Sequence, residues 1–131
     1  MNREYKFRAW LKDKKIMVEV EEISFIGQKQ IAYDEIEYRY TDKESFHYTQ
    51  WVDFEDIELM LGLKIYDEII FIGDIVHIYG GEQMFGYYEV DKIKVIKDLE
   101  DLVTLSNLNY GIEIIGNIYE NPELLGGTYD R

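Results

Sequence analysis

The chain opens on strict alternation of apolar and polar positions. In Tyr5-Lys6-Phe7-Arg8-Ala9-Trp10, Tyr5, Phe7 and Ala9 share one face, while Lys6, Arg8 and Trp10 turn to the other. The polar run Lys12-Asp13-Lys14-Lys15 reads as a turn, and Ile16, Val18 and Val20 then alternate again. This predicts a β-hairpin whose Tyr5 and Phe7 face packs into a core. A short strand over Ile23 to Ile26 and a turn at Gly27 to Gln30 follow. Ile31-Ala32-Tyr33 and Ile36 to Tyr40 continue in the same style, and after the polar Thr41 to Ser45 the segment Phe46 to Val52 is apolar again.

Residues 53–62 fit two patterns. Asp53 can cap a helix that carries Phe54, Ile57 and Leu61 on one face and stops at Gly62. Ile57, Leu59 and Leu61 also alternate as a strand does, and periodicity alone leaves both open.

From Ile69 the pattern sharpens. Gly73-Asp74 is a turn pair, and Ile75-Val76-His77-Ile78-Tyr79 is a strong strand ending at Gly80-Gly81. Met84 to Val90 carries Gly86 as the mark of a bulge or a close backbone approach. Ile93-Lys94-Val95 can pair beside it. Leu99, Leu102 and Val103 stand at helical spacing within Asp98 to Ser106, and Gly111 to Tyr119 is the last strand. Asn121-Pro122 opens a short helix as cap and first residue, and Gly126-Gly127 ends it. Ile115, Ile118 and Tyr119 should close a barrel whose open end Leu124 or Leu125 plugs. The expected architecture is mainly β, with short strands bent by glycines. It is a single domain over 1–131, with a β-rich part at 1–60 that includes the N-terminal hairpin. A small, SH3-like, partly closed barrel with short helices occupies about 66–125.

Composition narrows the function classes. With 47% hydrophobic and 15% aromatic residues in 131, the chain has material for a true core. It contains no cysteine, which removes disulfide scaffolds, zinc fingers and thiol chemistry and suits a reducing compartment. No apolar run approaches the roughly 20 residues of a membrane span. The N-terminus alternates instead of forming an apolar targeting segment, so the expected location is cytoplasmic. The net charge is −13, unevenly placed: residues 1–18 are net +4, 19–68 net −10 and 69–131 net −7. An acidic body of this kind repels nucleic-acid backbones and anionic membranes.

Three blocks together resemble the YopX family of phage and prophage proteins. They are Tyr5-Lys6-Phe7-Arg8-Ala9-Trp10 with Met17 after the turn, Leu61-Gly62-Leu63-Lys64 leading to Gly73-Asp74-Ile75-Val76, and Ile115-Gly116-Asn117-Ile118-Tyr119-Glu120-Asn121-Pro122-Glu123-Leu124-Leu125. The last is the most specific, and the blocks span nearly the whole chain. Leu11 stands where the family pattern usually has an acid, and Ile65 to Ile70 replaces a polar turn. The resemblance favours a strand at 57–63 and an SH3-like barrel in the second half. It implies no activity and no catalytic residues.

Candidate chemistry is sparse. His47 and His77 lie thirty residues apart in apolar strand patterns, without the spacing of a zinc site. Asp53, Glu55, Asp56 and Glu58 lack the glycine and the ligand order of a calcium loop and read as a solvated face. Gly80-Gly81 and Gly126-Gly127 have no phosphate-loop lysine downstream. Ser24, Ser45 and Ser106 sit in no nucleophile context. No catalytic, cofactor or metal residue is assigned, and a non-enzyme is expected.

The basic hairpin is the remaining candidate. Only Trp10 shares its cationic face, so direct nucleic-acid binding is disfavoured. The expectation is an interaction module that forms a homo-oligomer or binds a host or phage protein. Trp10 and Leu11 would form an exposed apolar centre, with Lys6, Arg8, Lys14 and Lys15 around it. The alternative is an acidic nucleic-acid mimic that occupies a host protein's basic groove.

Overall fold

The computed structural model describes residues 4–39, 44–80, 90–107 and 111–125. The chain is mainly β with short helices, as its alternation predicts. It divides into two compact units. One comprises Lys6–Met60, and the other comprises Met1–Tyr5 with Leu61–Arg131.

In the N-terminal unit, β1 (Tyr5–Leu11) and β2 (Ile16–Glu19) form the expected hairpin. The register runs from Arg8 opposite Glu19 to Leu11 opposite Ile16. The turn falls on Lys12 to Lys15, where the Lys15 N–H donates to Leu11 O at 2.8 Å and Lys15 takes a φ of 55°. β3 (Glu22–Ser24), β4 (Gln30–Arg39) and β5 (Glu44–Asp53) form a second antiparallel sheet in the order β3-β4-β5. The apolar segments at 31–33 and 36–39 are therefore parts of one long strand. The short strand expected through Ile26 stops at Ser24, leaving Phe25 and Ile26 exposed.

The core of this unit gathers Ala9, Leu11, Ile31, Tyr33 and Ile57, with Val18, Val20, Val52 and Phe54 packed against it. The hairpin's inner face is only half the one expected. Ala9 and Leu11 are buried, but Tyr5 is 51% and Phe7 36% exposed, so those two rings are not core. The apolar face of β1 becomes wetter toward its start. Leu11 is 3% exposed, which corrects its placement at an exposed tip. The alternation that puts Ala9 inside carries Leu11 to the same face.

At 53–62 the helical pattern loses. Phe54–Asp56 makes a single 3-10 turn, and β6 (Ile57–Ile65) follows at once. Asp53 makes no side-chain cap; its Oδ1 accepts from Gln28 Nε2 at 2.7 Å and Gln30 Nε2 at 2.8 Å. β6 pairs antiparallel with β7 (Glu68–Phe71). Gly62 lies opposite Phe71, and a Cβ there would meet the Phe71 ring at 2.5 Å, so the glycine gives the ring its seat.

In the other unit, β8 (Asp74–Gly80) lies between β9 (Val90–Val95) and β10 (Gly111–Asn117). The β8 register on β10 shifts between Ile114 and Gly116, a bulge in the last strand. The bulge expected at Gly86 lies outside the described residues. Helix α1 (Leu99–Ser106) starts on Asp98, whose Oδ1 accepts from the Asp101 N–H at 2.9 Å. It buries Leu102 and Leu105, while Leu99 faces out. Those two leucines join Leu63, Ile65, Ile70, Val76, Ile78 and Ile96 in one core. Each buried aliphatic side chain contributes about 1.5–3 kcal/mol.

The Gly73-Asp74 turn is built as its sequence suggests. Gly73 has a φ of 97°, its N–H donates to Ile96 O at 2.7 Å, and its carbonyl accepts from the Ile118 N–H at 2.9 Å. Asp74 is buried, with Oδ2 accepting from the Phe71 N–H at 2.8 Å. After β10, Pro122–Leu125 forms a 3-10 turn with no buried residue. Leu124 is 39% exposed and Leu125 half-buried, so neither is the fully buried plug that was expected.

Candidate protein-interaction site

The sequence-derived candidates on the hairpin do not gather into a free cationic surface. Lys6 Nζ lies 3.7 Å from Glu19, and Lys12 Nζ lies 3.7 Å from Glu58 while donating to Glu55 O at 3.1 Å. Lys14 Nζ donates to the Tyr33 hydroxyl at 3.2 Å, stands 3.9 Å from Glu35 and sits 5.9 Å from the centre of the Tyr33 ring. The bond to Tyr33, then the Tyr33 and Glu35 charges, raise the Lys14 ammonium pKa above its ordinary value. The lysines Lys6, Lys12 and Lys14 of the basic segment thus meet acids of their own unit. Arg8 and Trp10 are half-buried, and Lys15 is exposed at the turn.

What the strand pattern did not single out is the outer strand β5. Residues 48–51 are all exposed, with Trp51 at 46%. Trp51 stands opposite Ala32, Tyr33 opposite Gln50, and Gln30 opposite Asp53. Beside this strand an open groove of about 340 Å³ is lined by the hairpin turn (Leu11, Asp13, Lys14) and by Gln50, Trp51 and Asp53, among others. At its end, the Asp53, Glu55 and Asp56 carboxylates lie within 4.8 Å of one another. Gln28, Gln30 and Lys12 lean on this acidic pole, while Glu58 turns to Lys12. A second apolar projection is the loop after β3. Ile26 is 92% exposed, and Phe25 packs edge-on against Phe54 at 5.8 Å.

The titratable and hydroxyl groups weighed from sequence are engaged locally. His77 on β8 lies opposite Glu113, with Nδ1 3.8 Å from Glu113 Oε2, and its ring stacks at 5.2 Å on Tyr79. Ser24 Oγ donates to Ile26 O and Ser106 Oγ to Val103 O. The side chains of His47 and Ser45 lie outside the described residues. Among the described residues, no helix is long and apolar enough to cross a membrane.

The chain is therefore a two-unit, mainly β protein whose exposed apolar groups include Tyr48 and Trp51 on β5 and Phe25 and Ile26 in the loop after β3. Its sequence matches the YopX protein family model over residues 6–126, and the chain belongs to that family. Its fold is similar to that of protein EF1440 from Enterococcus faecalis, solved by crystallography. The TM-score is 0.52 at 21% identity, covering 93% of this chain and 98% of that one. No curated protein matches the sequence.

Proposed function

We propose that this is a phage-encoded, cytoplasmic, non-enzymatic module that binds a protein partner. The observation that carries the reading is the exposed run Tyr48 to Trp51 on outer strand β5, beside an open groove. Large aromatic groups on a wet outer strand cost solubility and are retained where they meet a partner. The hairpin is the weaker surface, because Leu11 is buried and Lys6 and Lys14 have acids of the same unit within reach.

Pull-down from host lysate, with wild type beside Trp51→Ala, tests it. The expected result is a protein captured by wild type and lost with Trp51→Ala, while both give the same β-type circular dichroism. Capture that is indifferent to Trp51 sinks the reading. The acid excess, 27 acidic against 14 basic residues, favours mimicry of nucleic acid as a second reading. That reading predicts a set of basic nucleic-acid-binding proteins that elute together as salt rises.

A further inference from the structure

Resting on the partner-binding reading, we propose that the outer edge of β5 takes an extended, basic segment of the partner as an added strand. The argument starts from the ladder. The Phe54 N–H donates to Lys29 O at 3.0 Å, and Phe54 continues the β4–β5 register opposite Lys29. In an antiparallel pair the inward-bonding and outward-turned residues alternate. Val52 and Gln50 therefore bond toward β4, while the N–H and C=O groups of Asp53, Trp51 and Thr49 turn to the outer edge. An independent bond agrees. Ala32, opposite Trp51, accepts from the Glu21 N–H at 2.8 Å on its β3 side, so Ala32 and Trp51 do not bond each other.

Among the described residues, no further strand pairs with β5 and no additional backbone bond reaches Thr49, Trp51 or Asp53. The edge is a row of donors and acceptors two residues apart, which an extended chain matches. Charge selects the occupant. Asp34 lies opposite Thr49, Asp53 ends the strand, and Asp13 and Asp56 line the adjoining groove. A second copy of a chain of net charge −13 would bring more acid to this edge. A peptide with an apolar residue opposite Trp51 and cationic residues two positions to either side complements it. The exposed indole offers its face to an aliphatic stem or a guanidinium.

Calorimetric titration of the full chain with the capped peptide Thr-Arg-Thr-Val-Thr-Arg-Thr tests this. Saturable binding is expected. It should weaken about tenfold or more when alternate peptide nitrogens are methylated, and likewise when Glu replaces Arg. Thr49→Pro blocks an outward N–H without removing a β4 bond, so it should weaken binding similarly while the circular dichroism is kept. Three outcomes overturn the proposal: no saturable binding at millimolar peptide, equal binding of the methylated peptide, or a wild-type dimer that Thr49→Pro converts to monomer. The last would assign the edge to a second copy. If the partner captured by wild type is held equally by Thr49→Pro, the edge assignment fails while the partner-binding reading stands.

Discussion

Asn117 and Asn121 hold each other across the end of the last strand. The Asn117 N–H donates to Asn121 Oδ1 at 3.2 Å, and the Asn121 N–H returns a bond to Asn117 O at 2.9 Å. The buried Asn117 side chain does more: its Oδ1 accepts from the N–H groups of Tyr119 and Glu120, at 3.0 and 2.9 Å. Its Nδ2 donates to Glu120 Oε1 at 2.7 Å. Asn117→Ala leaves two turn N–H groups without their acceptor and is expected to cost about 1–3 kcal/mol, read as a lower urea midpoint. Gly116→Ala tests the same corner sterically, since its Cβ would meet Asn121 Oδ1 at 2.6 Å and Leu124 Cδ1 at 2.8 Å. It too should lower the midpoint, and an unchanged melt would deny the close approach.

This corner also shows what the sequence could tell. The Gly-Asn-Ile-Tyr-Glu-Asn-Pro block was legible as a strand end followed by a short helical turn, but not in its cap: the Asn121 Oδ1 accepts from the Asn117 N–H behind it instead of from the turn ahead. The function of Leu124 was not. Its place over Gly116 depends on a close approach that no periodicity encodes. Leu11 is the opposite case: alternation from Ala9 already put it inside, and only the expectation of an acid at that position argued for exposure. Trp51 on β5 was missed because Phe46 to Val52 reads only as one more largely apolar strand segment. Which strand ends up outermost is decided by pairing, a property of the whole sheet.

Gly73 should resist replacement. At a φ of 97° a β-branched side chain is strained, and both backbone groups of this residue are already bonded to Ile96 and Ile118. Gly73→Val is expected to destabilise by about 1–3 kcal/mol. A thermal melt that does not move would count against the turn.

Lys15 offers a gain. It holds a φ of 55° in the hairpin turn, where a lysine is strained and an asparagine is tolerated. Lys15→Asn is expected to raise stability by up to about 1 kcal/mol in chemical denaturation. Should it lower stability, the lysine side chain contributes more than its backbone costs.

Leu11→Asp should unfold the N-terminal unit and not merely change association. A charge placed among Ala9, Ile31, Tyr33 and Ile57 has no partner, and losing a buried leucine alone costs about 2–5 kcal/mol. Loss of dispersed NMR amide signals is the expected readout. A folded, soluble variant would show that Leu11 reaches solvent.

The final prediction concerns acid. Burial raises the Asp101 carboxyl pKa, but the Lys97 N–H at 2.8 Å and the Lys94 ammonium at 3.2 Å outweigh it. They hold the group below its ordinary value of 3.8. Because the folded-state value is the lower one, unfolding takes up a proton in that range. The stabilisation is therefore complete above the ordinary carboxylate value and drains away as pH falls through it toward the folded-state value. Asp101→Asn removes the charge that Lys94 answers at the start of α1, where a negative group also suits the helix dipole. The variant should be less stable than wild type by about 0.5–1.5 kcal/mol near neutral pH. In paired urea titrations that gap should narrow steadily below about pH 4. A gap of constant size from neutral pH to about pH 3 would mean that the Asp101 charge contributes nothing to the fold.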